Sequence, residues 1–215
     1  MTALTIIIAD DHPLFRGALR QAVSDLGEAI EILEAGAFDA ARDLAERHAD
    51  ADVMLLDLAM PGVSGFSGLM TLRAAFPNLP IIIVSATDDP QTIRRAIDLG
   101  ASGFTSKSSG IDEIREAVRT VLMGEIAVPE GFSGGPEPDS GVAELLARVR
   151  TLTPQQGRVL SMLAEGLLNK QIAYELGVSE ATIKAHVSAI LLKLDVDSRT
   201  QAVIQLSKLN VPLVA

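Results

Sequence analysis

The 215-residue chain contains no cysteine and no tryptophan, and only one tyrosine and six phenylalanines. Without cysteine there are no disulfides, no thiolate metal sites and no thiol nucleophile, which fits a reducing compartment. Aromatics make up 3% of residues against 48% hydrophobic overall, so the core has to be built from Leu, Ile, Val and Ala. Such a core favours helices and parallel strands. Long apolar runs are also missing: no stretch approaches the roughly 20 residues needed to span a bilayer. Met1 to Asp10 carries no basic segment ahead of its short apolar run. A soluble, cytoplasmic protein without a membrane partner is expected.

Positive charge is scarce too, with 18 Lys and Arg against 28 Asp and Glu and a net charge of −10. Taken whole, that balance disfavours a nucleic-acid partner. The deficit is uneven. Residues 1–123 carry 10 basic and 18 acidic groups, residues 124–150 carry 2 and 5, and residues 151–215 carry 6 and 5. Only the last part can approach a polyanion without strong repulsion.

Short apolar runs at Leu4–Ala9, Ala29–Leu33, Val53–Leu56, Ile81–Val84 and Gly103–Thr105 are expected as strands. Helical spacing separates them, as in Phe15, Leu19, Ala22, Val23 and Leu26, or Ile93, Ala96, Ile97 and Leu99. Strands apolar on both sides and alternating with helices imply an α/β doubly wound parallel five-stranded sheet, closed by a helix from Ile111 to Met123. Residues 124–150 are expected as a linker, because EGFSGGPEPDSG cannot bury enough apolar surface to fold alone; Val142–Val149 is a candidate short helix within it. Residues 151–215 show helical patterns and no strand candidate, starting where Thr153 caps a helix opened by Pro154.

Ligands of an open parallel sheet bind outside the carboxyl ends of its strands. Asp10, Asp11, Asp57, Ser85 and Lys107 stand at those ends. Three neighbouring carboxylates repel one another unless a cation or a proton offsets them. An all-oxygen donor set of this kind suits Mg²⁺. Lys107 adds a positive point charge and Ser85 a hydroxyl, together a cradle for a phosphoryl group, and Asp57 on the central strand is the natural nucleophile. Singly, each is an ordinary turn or cap residue. A nucleotide site is disfavoured, since Asp10-Asp11-His12-Pro13 would repel a phosphate where glycines or hydroxyls are needed. His12 has no second His at ligand spacing and reads as a loop residue.

On these residues, the stretch 1–123 resembles a response-regulator receiver domain of two-component signalling, a flavodoxin-like fold. The family's acidic pair falls on Asp10 and Asp11, its phosphoacceptor on Asp57 within MLLDLAMPGVSG, its hydroxyl residue on Ser85 and its lysine on Lys107. The aromatic switch position falls on Phe104, which is equally well placed to be plain core. The resemblance implies Mg²⁺ held by Asp10, Asp11, Asp57 and the carbonyl of Ala59. It also implies a histidine kinase as phosphoryl donor, with Ser85 and Phe104 moving once Asp57 is modified.

Asn169–Gly177 followed by Val178–Val187 reads as helix, Gly-containing turn, helix, with Ser179 capping the second helix. Ile183, Val187, Ile190, Leu191 and Leu194 face inward, leaving Glu180, Lys184, Ala185 and Ser188 outside. That face suits a DNA major groove, although helix-turn-helix shapes also occur in bundles that bind protein. Residues 152–206 resemble the LuxR-type output domain of NarL/FixJ-type response regulators, a small all-α domain of four helices. The resemblance implies base-facing Lys184, Ala185 and Ser188, phosphate-proximal Thr182 and Lys170, and dimerisation through the final helix, Arg199–Leu209. Two positions depart from the pattern. Ser188 stands where a longer polar or basic residue is frequent, which leaves the target sequence open, and Gln156 and Arg158 replace acidic residues, with a change in packing expected.

The resulting expectation is a DNA-binding regulator, not an enzyme, phosphorylated on Asp57 and dimeric when active through the receiver, the C-terminal helix or both. Two rivals remain at this point: a regulator working without phosphorylation, and an aspartyl-phosphate phosphatase. The second requires an acid/base carboxylate two residues after the nucleophile, where this chain has Ala59.

Overall fold

The computed structural model describes residues 3–26, 29–63, 65–132 and 140–209; positions 133–139 of the expected linker and 210–215 at the C-terminus lie outside them. The chain divides into two compact units at 136–137.

The first unit alternates strand and helix: β1 Leu4–Ala9, α1 Pro13–Ser24, β2 Ile30–Ala35, α2 Phe38–Arg47, β3 Val53–Asp57, α3 Ser67–Ala75, β4 Ile81–Ser85, α4 Pro90–Asp98, β5 Gly103–Ser106 and α5 Ile111–Leu122. All strand pairs are parallel, in the order β2-β1-β3-β4-β5. β3 and β4 are buried along their whole length because helices cover both faces of the sheet. One side of the core joins Ile6, Ile8, Leu55 and Val84 of the strands to Leu19 and Val23 of α1 and Val118 of α5. Each such side chain contributes about 1.5–3 kcal/mol by leaving water. β2 extends to Ala35 rather than stopping at Leu33, since its pairing continues to the register Ala9↔Ala35.

Register places the chemistry. Ala9 lies beside Leu56, Asp57 beside Val84, and Ser85 beside Ser106, so the residues that follow β1 and β5 come to the same sheet edge as the last residues of β3 and β4. Beyond α5, Gly124 turns the chain at φ +85, and Ala127 adds a single bridge to β5. Its N–H donates to Ser102 O at 3.1 Å and its carbonyl accepts from Phe104 N at 2.8 Å. The edge of β5 offers unpaired backbone groups, and the missing side chain at Gly103 eases the close approach of Ala127.

The second unit comprises α6 Ser140–Val149, α7 Pro154–Ala164, α8 Asn169–Glu175, α9 Glu180–Leu194 and α10 Arg199–Leu209. α6 falls within 124–150 and buries Leu145 and Val149. Thr153 caps α7 and Ser179 caps α9, each accepting the N–H three residues on. Gln156 keeps a reciprocal capping box, its Oε1 accepting from Thr153 N at 3.0 Å, so the missing acidic residue leaves the helix start intact.

Candidate functional site

Asp10, Asp57 and Lys107 meet at the carboxyl edge of the sheet. The carboxylates of Asp10 and Asp57 are 0% and 1% exposed, and the Lys107 ammonium lies 2.8 Å from Oδ2 of each. Only the contact with Asp57 has hydrogen-bond geometry. Asp10 Oδ2 is therefore held by charge alone, without a hydrogen bond of its own. Asp57 Oδ1 accepts from Ala59 N at 3.1 Å, and Asp10 Oδ1 accepts from His12 N at 2.8 Å. Asp11 Oδ1 is also buried and unbonded, although His12 Nδ1 lies 2.6 Å away.

Electrostatics fits the geometry. Burial works to depress the Lys107 ammonium, but Asp10 and Asp57 outweigh it and raise the group above the ordinary lysine value. Lys107 Nζ also stands 5.1 Å from the centre of the Phe15 ring, within cation–π range. A cavity of about 480 Å³ opens above these groups, lined by Phe15, Asp57, Ala59, Ser85, Ala86 and Lys107, with Leu14 93% exposed at its rim. Ser85 Oγ accepts from Thr87 N at 3.1 Å, and the Ser85 carbonyl accepts from Lys107 N at 2.7 Å, which ties the ends of β4 and β5 together. Phe104 is buried at 1% exposure.

Oxygens of Asp10, Asp11 and Asp57 and a nitrogen of His12 lie within 4.8 Å of one another. One ammonium offsets three carboxylates, and two buried carboxylate oxygens lack a hydrogen bond, so the residues fit a hard divalent cation. Sequence reasoning missed the parts of α1 that line the cavity. Phe15 falls on the helical spacing and does pack, half-buried, against the core, but its ring also stands beside Lys107.

In the second unit, Lys170, Lys184, Ala185 and Ser188 are exposed, while Thr182 is half-buried and bonded to the Ser179 cap. Glu180, on the same outer face, pairs with Lys184 at 3.0 Å. Its i,i+4 spacing was legible.

Fold and site define a class: an α/β acceptor domain with a carboxylate–lysine pocket, followed by a helix-turn-helix unit. Residues 6–119 match the family described as response regulator receiver domain, and residues 150–206 match bacterial regulatory proteins of the luxR family. The chain belongs to the response regulators that carry a receiver domain and a LuxR-type DNA-binding domain. It is 42% identical over 208 residues to the glycerol metabolism activator of Pseudomonas putida, with 93% of each chain covered. It is 37% identical over 214 residues to the nitrate/nitrite response regulator NarP of Escherichia coli, with 94% of each covered. Among solved structures it is similar to RcsB of Salmonella enterica bound to a promoter in the presence of a beryllofluoride phosphomimetic. That likeness has a TM-score of 0.58 at 25% identity and covers 97% of this chain and 100% of the other. Among the described residues no helix is long and apolar enough to cross a membrane.

Proposed function

We propose that this protein is a cytoplasmic transcription regulator switched by phosphorylation of Asp57, with a histidine kinase as donor and DNA as output. Residues 1–123 are the receiver, 151–215 the DNA-binding domain, and 124–150 the connection between them. The observation that carries the reading is Lys107 lying between two buried carboxylates on the floor of an open cavity. A lysine in that position neutralises the acceptor before transfer and faces the phosphoryl oxygens afterwards.

Transfer forms an Asp57 O–P bond as the P–N bond of a phosphohistidine breaks, and the imidazole leaves with its electron pair and takes up a proton. Asp10, Asp11, Asp57 and the Ala59 carbonyl are the residues that would hold Mg²⁺; bound there, it offsets the carboxylates and draws charge from the phosphoryl oxygens. Ser85 Oγ accepts from Thr87 N, which leaves its hydroxyl proton to donate to a phosphoryl oxygen. Phe104 follows on the neighbouring strand, the packing change that biases the receiver surface.

Dimerisation through the receiver, α10 or both then pairs two output domains on a symmetric site. Lys184, Ala185 and Ser188 face the bases, with Lys170 and Thr182 near phosphates. No carboxylate stands two residues after Asp57, so turnover of small phosphomonoesters is not expected.

The test compares wild type with Asp57→Ala for oligomeric state and DNA affinity, with and without Mg²⁺ and beryllofluoride. Dimerisation and tighter DNA binding in wild type alone support the reading. Equal behaviour of the two proteins moves control away from Asp57 to a phosphorylation-independent switch.

A further inference from the structure

The end of the recognition helix is closed by a side chain from outside the helix-turn-helix. Leu194 is the last residue of α9, and Asp195 caps it at φ +55, the one described non-glycine residue with positive φ. The final carbonyls of a helix have no donor within it. Backbone N–H groups of Val196 and Asp195 reach Leu191 O and Leu192 O at 3.0 and 3.2 Å. The Leu194 carbonyl is reached by Arg148 of α6, whose Nη1 donates at 2.9 Å and also stands 2.9 Å from Asp195 Oδ2. Nη2 of the same guanidinium donates to Glu144 one turn back on α6 at 2.8 Å, which fixes its plane. A cation there also meets the negative end of the α9 dipole.

A second tie acts on the same turn. Lys193 Nζ donates to Thr151 O at 2.6 Å and to Gln156 Oε1 at 2.8 Å. The C-terminal turn of α9 is thus held by α6 and by the start of α7, while Lys184, Ala185 and Ser188 stay exposed. Leverage makes this matter. A 15-residue helix is about 22 Å long, so a swing of roughly 10° about its C-terminal cap moves the first turn by about 4 Å, far beyond what a hydrogen bond to a base edge tolerates.

We propose that Arg148 is a positioning residue for DNA reading: it makes α6 the C-terminal cap of α9, so the recognition helix keeps its base-reading pose only while α6 is seated. The proposal rests on the DNA-binding reading above.

The test uses the full chain with Mg²⁺ and beryllofluoride and measures affinity across a salt series. One duplex is selected by wild type from a random-sequence pool, and the other is a scramble of it. Arg148→Met keeps the side chain's length without its charge. It should lose about tenfold on the selected duplex, with little change on the scramble and the same slope of log K against log salt. Arg148→Lys should recover most of the loss. Equal affinity of wild type and Arg148→Met overturns the proposal. So does an equal loss on both duplexes with a slope shallower by about one, which would make Arg148 a phosphate contact. If Arg148→Met unfolds the helical unit, Asp195→Asn decides instead, since Asn tolerates the left-handed backbone. A few-fold loss confined to the selected duplex supports the proposal, and no loss overturns it. A wild type that selects no duplex defeats the DNA-binding reading itself.

Discussion

Replacing Lys107 with methionine removes the one cation among the described residues that faces the buried carboxylates of Asp10 and Asp57, while keeping most of the side-chain volume. At 2.8 Å and an effective dielectric of about 20, each contact is worth roughly 6 kcal/mol before desolvation. The ammonium's own burial and carboxylate repulsion offset much of this, and measured losses on breaking buried pairs run about 3–5 kcal/mol. The cavity admits water and the Lys107 side chain is 16% exposed, so the lower end applies, about 3 kcal/mol near neutral pH. The folded-state pKa of Lys107 lies above the ordinary lysine value of 10.5. Its contribution is therefore complete below about pH 10.5 and lost only as pH rises through the higher folded value. A divalent cation neutralises the same carboxylates, so Mg²⁺ should stabilise Lys107→Met more than wild type. Amide exchange of β3 and β4 in EDTA and in Mg²⁺ reports the first unit alone. Equal protection of both proteins in EDTA, or an equal gain from Mg²⁺, would refute the electrostatic account of this site.

Asp89 caps α4 through the amides of Gln91 and Thr92 and also accepts from Thr92 Oγ1. Burial works to raise its carboxyl, but these bonds and nearby Arg95 outweigh it and hold the group below the ordinary aspartate value of 3.8. Asp89→Ala should cost about 1 kcal/mol at pH 7, and the gap should close only as pH falls below about 3.8, readable in urea titrations at several pH values. Gly103→Ala would bring a Cβ to 3.1 Å from the Ala127 carbonyl oxygen and 3.2 Å from Val121 Cγ2. Ala127 and Val121 have to give by a few tenths of an ångström, so a loss at the lower end of the overpacking range, about 1 kcal/mol, is expected, with faster amide exchange at Phe104 and Ala127. Ser179→Ala removes the α9 cap and should cost about 1 kcal/mol in the melting of the helical unit.

Much of this was legible in the sequence because it rests on local rules. Apolar runs buried on both faces identify β1, β3 and β4 without ambiguity, and the residues that follow them are the site by the geometry of parallel sheets. Thr153 and Ser179 mark helix starts through cap chemistry that depends on a few consecutive residues. What stayed hidden depends on contacts between distant residues. Nothing in the local pattern of Phe15 shows that a ring packed against the core also reaches Lys107, 92 positions later. Arg148 sits beside a low-complexity stretch and acquires its role from a carbonyl 46 residues on. Ala127 likewise follows no periodicity, yet β5 binds it because an edge strand has unpaired groups to satisfy.

The second unit also has few cations left for DNA, and this argues for a paired reader. Arg148, Lys193 and Arg199 are bonded to backbone carbonyls of their own unit, and Lys184 faces Glu180. Among the described side chains Arg150, Arg158 and Lys170 make no ion pair, so that, leaving Lys208 aside, three or four cations per subunit are available to phosphates once Lys184 exchanges Glu180 for DNA. Each neutralised phosphate contributes about −0.9 to the slope of log K against log salt, so one subunit should give about −3 and a dimer about −6. A slope of −3 corresponds to weak, salt-labile binding, and a second copy squares that modest electrostatic factor without adding any charge to the fold. Steepening of the slope on addition of beryllofluoride, and its flattening by about two in a Lys170→Ala dimer, are the expected results. A slope that stays near −3 when the protein dimerises would mean that only one subunit's recognition helix reaches the duplex.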